Sequence, residues 1–284
     1  MTADGWDGTG QWGRNRLLAT VVGVGVVGVG ALGGLGYAGY SAFTSAGHQG
    51  PSSAPPSAAS SAASPAVEDA AQRPAGQTRR DAIAAAPMLG VSPDDGRGGT
   101  PASSPPPTIT IPVASTLGSA DVPTGYPHTP EGAIGQLAAI ETTVLQAMSI
   151  QQATTVHQEL SAAGAPPADT WELTANVQAF LGSASGQYAD DPTTLVVTTP
   201  VAAQVKGIDG QDWVLACVLL DVKATAVTQA RAAYGHCERM QWSADTGRWV
   251  IAPGAPPAKA PSTWPGTDLA TDAGWRTWVA DNQE

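Results

Sequence analysis

The chain has 284 residues, 42% of them hydrophobic, with a formal net charge of −11 at pH 7 and only two cysteines. From residue 121 onward it carries 17 acidic and 7 basic side chains and no cluster of Lys or Arg, which argues against direct binding to a nucleic-acid backbone. The length allows one or two domains.

The first pattern along the chain is GxGxxG at Gly23, Gly25 and Gly28, after a short apolar run. A dinucleotide site needs an amphipathic helix after this motif and an acidic residue about 20 residues downstream. No acidic residue occurs between Asp7 and Glu68. The motif therefore does not indicate a nucleotide-binding unit.

The same glycines lie within residues 17–43, which contain 27 residues without a charged side chain. About 20 apolar residues suffice to cross the hydrocarbon core as a helix. Arg14 and Arg16 precede this run and the next basic residue is Arg73, so the positive-inside rule places residues 1–16 in the cytoplasm. A cleaved signal peptide is the alternative, but its apolar core is shorter. We predict an uncleaved single-pass anchor with everything after it outside the cytoplasm.

Four small residues recur every four positions on one face of the predicted transmembrane helix: Gly30, Gly34, Ala38 and Ala42. Small residues at this spacing permit the close approach of a second helix. They are a possible packing face for self-association or for a partner helix, and a general bias toward Gly and Ala is the alternative.

Residues 44–120 contain no Phe, Tyr, Trp or Cys and 12 of the chain's 24 prolines. Such a composition buries too little apolar surface to offset the entropy lost on ordering. We therefore predict a disordered linker rich in Ala, Ser, Pro and Gly, followed by a folded domain at residues 121–284. Within the linker, residues 78–91 (TRRDAIAAAPMLGV) are either a less polar patch or a short segment that orders on a partner.

The first part of the predicted domain has the pattern of three helices. Thr129 as N-cap and Pro130 at the first helical position begin one, and apolar residues at helical spacing continue to Met148. A second helix is predicted from Gln151 to Ala163, and a third stops at Gly182.

From Thr194 the apolar residues alternate with period two, which is typical of strands. The first strand contains Pro200, which lacks an amide donor, so we predict an edge strand. A central strand, a hairpin and a short last strand follow, and the tail with Trp264, Trp275 and Trp278 is predicted to form a terminal helix. Helices followed by a mostly antiparallel sheet define an α+β domain.

Cys217 and Cys237 both fall on predicted strands. If these strands are neighbours joined by a turn near Val227, the two cysteines face each other, and a disulfide is possible outside the reducing cytoplasm. Two buried free thiols are the alternative. Neither cysteine belongs to a CxxC motif, so zinc or redox chemistry is not indicated.

The sequence offers no motif for catalysis: no HExxH, no metal-ligand spacing and no nucleophile elbow. His157 could pair with Glu159, and His236 with Glu238 or Asp221, but loose pairs of this kind arise by chance. We expect hydrogen-bonded or surface histidines, and we assign no catalytic, cofactor-binding or metal-binding residue.

The order of a short tail, one membrane helix, a spacer, three helices and a sheet resembles the inner-membrane scaffold subunits of type IV secretion and conjugation systems. Several segments also resemble an uncharacterised membrane-anchored family encoded beside conjugation genes on mobile elements of high-GC Gram-positive bacteria. These segments are AAAPML, VPTGYPHTPEGAI, HCERMQW, GRWVIAPG and APSTWPGTDLATDAGWRTW. The resemblance implies a cone-shaped, nuclear transport factor 2-like outer domain with a curved antiparallel sheet and no catalytic residues.

Two functions follow from the anchor and this resemblance. The first is a non-enzymatic envelope component that assembles with the membrane and with other subunits of a DNA-transfer or secretion apparatus. The second is an anchored ectodomain that binds a lipid or small ligand as an accessory to an envelope transport system. An enzyme that uses the interior of the same fold is a third and weaker hypothesis.

Overall fold

The computed structural model describes residues 76–183, 194–225 and 229–281. Within these ranges the helices are α1 (Gln77–Ala85), α2 (Pro130–Ala147), α3 (Ile150–Leu160), α4 (Glu172–Leu181) and α5 (Asp268–Asp272). The strands are β1 (Thr108–Pro112), β2 (Thr116–Leu117), β3 (Pro123–Thr124), β4 (Leu195–Ile208), β5 (Trp213–Thr225), β6 (Gln229–Ser243), β7 (Arg248–Ile251) and β8 (Arg276–Asp281).

The three helices predicted from residue 129 onward are confirmed as α2, α3 and α4, with shifts of a few residues at their ends. The Thr129 side chain accepts a hydrogen bond from the backbone N–H of Gly132 at 3.0 Å, which satisfies a donor that the first turn leaves free. Ser149 caps α3 in the same way. The helix α3 ends at Leu160, three residues before the predicted end.

Six strands form a curled half-barrel in the order β1-β8-β4-β5-β6-β7. The helices precede most of the sheet in the chain, as predicted for an α+β domain. At the centre β5 is buried from Trp213 to Val222, because both faces of the sheet are covered. Its residues alternate: Val214, Ala216 and Val218 join the core under the helices, whereas Cys217 and Leu219 join a core on the opposite face.

The predicted linker boundary is wrong, because residues 76–120 contribute to the domain. Helix α1 lies on the sheet face opposite α2, where Ala84 is fully buried and Asp81 accepts a hydrogen bond from Arg239 at 2.8 Å. Ile109 and Ile111 of β1 are buried under α2. The segment at 78–91 thus packs on its own domain. The composition of residues 76–120 does not indicate this packing, because a few well-spaced aliphatic side chains suffice to dock the segment on the domain.

The prediction that the strand with Pro200 is an edge strand is also wrong. Strand β4 lies between β5 and β8, and its register against β5 shifts between Pro200 and Ala202. It bonds β8 only at Ala202 and Ala203. Pro200 therefore lies next to a register shift and outside the pairs with β8, positions at which a strand tolerates proline.

The tail does not end in a helix of the predicted kind. It forms α5, which is only five residues long, and then β8. Strand β8 pairs in parallel with β1, from Thr108↔Thr277 to Pro112↔Asp281. Trp275 is buried in the core opposite the helices, and Trp278 packs against the core beneath them. Trp275 directly precedes β8 and Trp278 lies in it, and residues three positions apart in extended backbone point to opposite faces of a sheet.

Within the described ranges, no helix is both long enough and apolar enough to span a membrane. The predicted span at 17–43, with its small-residue face at Gly30, Gly34, Ala38 and Ala42, lies outside those ranges. So do the predicted tail at 1–16 and residues 44–75 of the predicted linker.

Candidate functional site

A disulfide joins two neighbouring strands of the sheet, β5 and β6. Cys217 of β5 and Cys237 of β6 are direct partners in the antiparallel register, with an Sγ–Sγ distance of 1.97 Å. Of the two alternatives left open by the sequence, the structure has the disulfide. The turn placed near Val227 lies outside the described residues. Met88 covers the disulfide, with its Sδ atom 3.6 Å from the Sγ atom of Cys237.

On the other face of β6, a buried acid–base pair connects the sheet to α2. The Nδ1 atom of His236 lies 2.7 Å from Oε1 of Glu141. The two residues are 3% and 0% exposed. The second carboxyl oxygen of Glu141, Oε2, is buried without a hydrogen-bond partner. An unsatisfied buried acceptor is costly, so this atom is the most unusual feature of the pair.

Further polar groups surround this pair. Tyr234 stacks on His236 with ring centroids 6.0 Å apart. Its hydroxyl accepts a hydrogen bond from Asn176 at 2.7 Å and donates one to Glu172 at 3.0 Å. Beyond His236, the Glu238 carboxylate accepts a hydrogen bond from the indole N–H of Trp171 at 2.9 Å. We call the buried residues Glu141, His236 and Glu238, together with the half-buried Glu172 and Tyr234, the buried polar cluster.

The surroundings inside the domain raise the pKa values of four groups of the cluster: Glu141, Tyr234, His236 and Glu238. Desolvation raises the pKa of Glu141 to about 7, although the hydrogen bond with His236 opposes the rise. Desolvation lowers the pKa of His236, but the hydrogen bond with Glu141 and the nearby carboxylates outweigh it and raise that pKa to about 9. Burial also raises the pKa of Glu238 and of Tyr234. The folded protein therefore holds protons in this cluster more tightly than the unfolded chain does.

A cleft of about 60 Å³ lies beside the cluster, and Tyr234 is the one cluster residue in its lining. Most of its lining is apolar, with two neutral polar side chains: Leu145, Met148, Val222, Ala232, Ala233, Asn176 and Tyr234. Pro93, Arg97 and Ser262 line it from segments along the free edge of β6. The volume is that of about two water molecules at roughly 30 Å³ each.

Two larger clefts, of about 390 and 360 Å³, lie elsewhere in the described parts of the chain. The first lies between β4, β8 and the segment around α5, and the second lies at the turn between α2 and α3. Neither is lined by an ionisable side chain. Of these three clefts, the small one at β6 combines a cavity with titratable groups.

The pairs considered from the sequence are not the ones in the structure. His236 bonds Glu141 rather than Glu238 or Asp221, and Asp221 is bound by the guanidinium of Arg231 at 2.6 and 2.7 Å. His157 packs against Trp171 with ring centroids 5.0 Å apart.

Glu141 lies 95 residues from His236 in the chain and is not among the residues predicted from the sequence. The signal in the sequence is that Glu141 lies at helical spacing from Leu137, Val144 and Leu145. Its carboxyl group therefore belongs to the apolar stripe of α2. A charged side chain is almost never fully buried unless it is paired, so this position predicts a partner on the facing sheet.

In the ranges that the structure describes, no group of three or more His, Cys, Asp or Glu side chains could hold a metal ion. Comparison of the chain with protein-family models, with curated proteins and with solved structures yields no match.

Proposed function

We propose that the chain is a membrane-anchored, non-enzymatic envelope component. In this proposal residues 17–43 span the membrane, residues 1–16 are cytoplasmic, and the α+β domain is extracytoplasmic. The domain would serve as an assembly or scaffold subunit of a conjugative DNA-transfer or secretion apparatus, with a nuclear transport factor 2-like cone as its fold. Its partners would be other subunits of that apparatus, and the face at Gly30 and Gly34 would allow self-association in the membrane.

The observation that carries the extracytoplasmic placement is the disulfide between Cys217 and Cys237. Structural disulfides form and persist in oxidising compartments and are rare in the reducing cytoplasm. The disulfide therefore favours the extracytoplasmic side of the membrane. Arg14 and Arg16 predict the same side for the domain.

The burial of the acid–base pair supports a role without catalysis. A general base must come within hydrogen-bond distance of the proton that it removes. Glu141 and His236 are almost fully buried, and neither lines the cleft that ends at Tyr234. The pair is well placed to hold α2 against β6.

The placement is tested by thiol alkylation in intact cells. Cells that express the full chain are treated with a membrane-permeant maleimide, and the protein is then denatured, with or without reductant, and labelled again. We expect Cys217 and Cys237 to label only after reduction. A Cys217→Ser variant is the matched control, because its remaining thiol must label without reductant. Free thiols in the unmodified chain would contradict the extracytoplasmic placement.

The assembly role is tested by photo-crosslinking in cells. Leu117, in the β2–β3 hairpin, is 68% exposed and is the most exposed large apolar side chain in the described ranges. A photo-reactive amino acid is placed there, and separately at exposed Gln178 of α4, and the adducts are identified by mass spectrometry. We expect a subunit of a transfer apparatus from at least one position, and none without irradiation. Recovery of self-dimers alone from both positions would refute the assembly role.

A second candidate is the anchored ectodomain that binds a lipid or small ligand as an accessory to an envelope transport system. The cleft beside β6 is the observation that favours it. Its volume of about 60 Å³ fits a small head group rather than an acyl chain, so the small-ligand form of this candidate is the better supported one.

A further inference from the structure

Strand β1 is the outermost strand on one side of the sheet, so one of its edges has no strand beside it in the described ranges. The N–H of Thr277 donates to the carbonyl of Pro107 at 2.8 Å, and Thr108 is the register partner of Thr277. Alternate residues of a strand direct their backbone groups toward the same neighbour. Three residues of β1 therefore direct their backbone groups away from β8: Thr108, Thr110 and Pro112.

This outer edge of β1 offers both donors and acceptors. Thr108 and Thr110 each present an N–H and a carbonyl, whereas Pro112 presents a carbonyl alone. Both threonines are exposed, and none of these backbone groups is bonded to another residue that the structure describes. Proline fits at this position because its missing donor faces outward.

The edge also lacks the features that keep outer strands from pairing with other chains. Charged side chains are a common protection of such edges, but residues 98–120 carry none. At the opposite side of the sheet, the chain after α3 covers part of β7: the N–H of Ala162 donates to the carbonyl of Ile251 at 2.8 Å. Arg248 adds a charge to that edge. Strand β1 is therefore the less protected edge, and the contact that it favours is the addition of a strand.

A second copy of β1 matches this edge about a two-fold axis at Thr110. In an antiparallel pair, Thr110 lies opposite Thr110 of the second copy, and the two residues exchange both N–H···O bonds. Thr108 of each copy lies opposite Pro112 of the other and donates its N–H to the proline carbonyl. Two bonds at Thr110 and one from each Thr108 make about four intermolecular backbone hydrogen bonds.

The charges favour the antiparallel arrangement. It places Asp281 of one copy in line with Thr277 of the other, next to Arg276. The two β8 strands are then three strand spacings apart, about 14 Å, where the attraction is weak but has the favourable sign. A parallel arrangement about a two-fold axis would align Asp281 with Asp281 and each N–H with an N–H. Because the whole chain has a net charge of −11, an uncharged contact is also the one that least opposes association of two copies.

We propose that the outer edge of β1 is a self-association site, where the β1 strands of two copies pair antiparallel and join the two sheets into one. Val113 is 54% exposed and extends the contact, since it lies opposite Pro107 of the second copy. Neutral hydrogen bonds each contribute little in water. The pair therefore forms where copies are held close together, as two chains in one membrane are. In this respect the inference rests on the proposed membrane anchor.

Disulfide cross-linking of the full chain in phosphatidylcholine vesicles tests the pairing. The variant is Thr110→Cys, because the Cα atoms of a hydrogen-bonded antiparallel pair are about 5.5 Å apart, within the range of a disulfide. The native cysteines are already joined to each other. Gln178→Cys, at an exposed position of α4, is the control for random collisions.

After mild oxidation we expect at least about tenfold more covalent dimer from Thr110→Cys than from Gln178→Cys, because pairing raises the effective concentration of the thiols. Similar yields from the two variants, or no dimer from Thr110→Cys, overturn the proposal.

A second substitution tests the backbone hydrogen bonds. Thr108→Pro removes a donor that faces the second copy and none that faces β8, so the thermal midpoint should stay unchanged. Added to Thr110→Cys, it removes two intermolecular bonds, and the yield of dimer should fall at least about fivefold. Thr108→Val keeps the N–H and should keep the yield. Equal yields with Thr108→Pro and Thr108→Val overturn the backbone pairing. If Thr108→Pro lowers the midpoint, the comparison of Thr110→Cys with Gln178→Cys decides alone.

The anchor and the pairing fail separately in this experiment. Flotation of the chain with the vesicles reports the anchor, and the cross-link reports the pairing. If the chain does not float, the cross-link is measured in solution at about 1 mM, the effective concentration of a tethered pair. A dimer from Thr110→Cys in that solution supports the site without the anchor. Flotation without cross-linking overturns the site and leaves the anchor intact.

Discussion

Replacing both cysteines by alanine, Cys217→Ala with Cys237→Ala, removes the cross-link without leaving a free thiol. The bond joins residues 20 apart in the chain, and the chain-entropy relation for a loop of that length gives about 3 kcal/mol at 25 °C. Loss of the buried sulfur atoms adds to this cost, since both residues are almost fully buried. We expect the free energy of unfolding to fall by at least about 3 kcal/mol.

The assay is guanidinium denaturation of the full chain followed by tryptophan fluorescence, with the thermal midpoint as a second measurement. A loss of 3 kcal/mol corresponds to roughly 6–12 °C for a domain of this size. The unmodified protein in excess reductant serves as the control and should approach the variant. A variant within about 1 kcal/mol of the oxidised protein, at unchanged denaturant dependence, would refute the entropic argument.

Three further predictions concern packing, protonation and docking. Leu137→Ala, in the buried stripe of α2, should cost about 2–5 kcal/mol in the same denaturation assay; a loss below 1 kcal/mol would contradict the packing of α2 on the sheet. The raised pKa values of Glu141 (about 7) and His236 (about 9) stabilise the fold at low pH, and this contribution is lost as pH rises through them. The thermal midpoint of the unmodified chain should therefore fall from pH 6 to pH 9, and that of Glu141→Gln should fall less steeply. A midpoint that rises with pH would contradict the raised pKa values. Ala84→Glu should release α1 and speed tryptic cleavage after Arg80, whereas unchanged cleavage would show that α1 is not docked.

Local signals predicted much of the helical half of the domain. Thr129 and Pro130 define the start of α2 because capping needs only neighbouring residues. The central strand is equally clear, since the continuous apolar residues over 213–220 are typical of a strand buried on both faces. Interactions between residues close together in the sequence determine these elements.

The features that the sequence did not predict depend on pairing between residues far apart in the chain. The position of β4 inside the sheet depends on a bulge near Pro200 and on a strand from the C-terminal tail. The strand β1 needs only Ile109 and Ile111 to dock, a pattern too short to outweigh its proline-rich surroundings. The partner of His236 is a residue from another element far away in the chain. Each of these depends on contacts that composition and periodicity do not report.

The parallel pairing of β1 with β8 has a consequence for how the domain is made. Thr108 and Thr277 are neighbours in the sheet, although nearly the whole domain separates them in the chain. A ribosome must therefore have synthesised the chain as far as Thr277 before this pair can form, and contacts of such long range are slow to close. A nascent or truncated chain that ends before residue 276 would leave β1 with an unpaired edge, open to pairing with other chains.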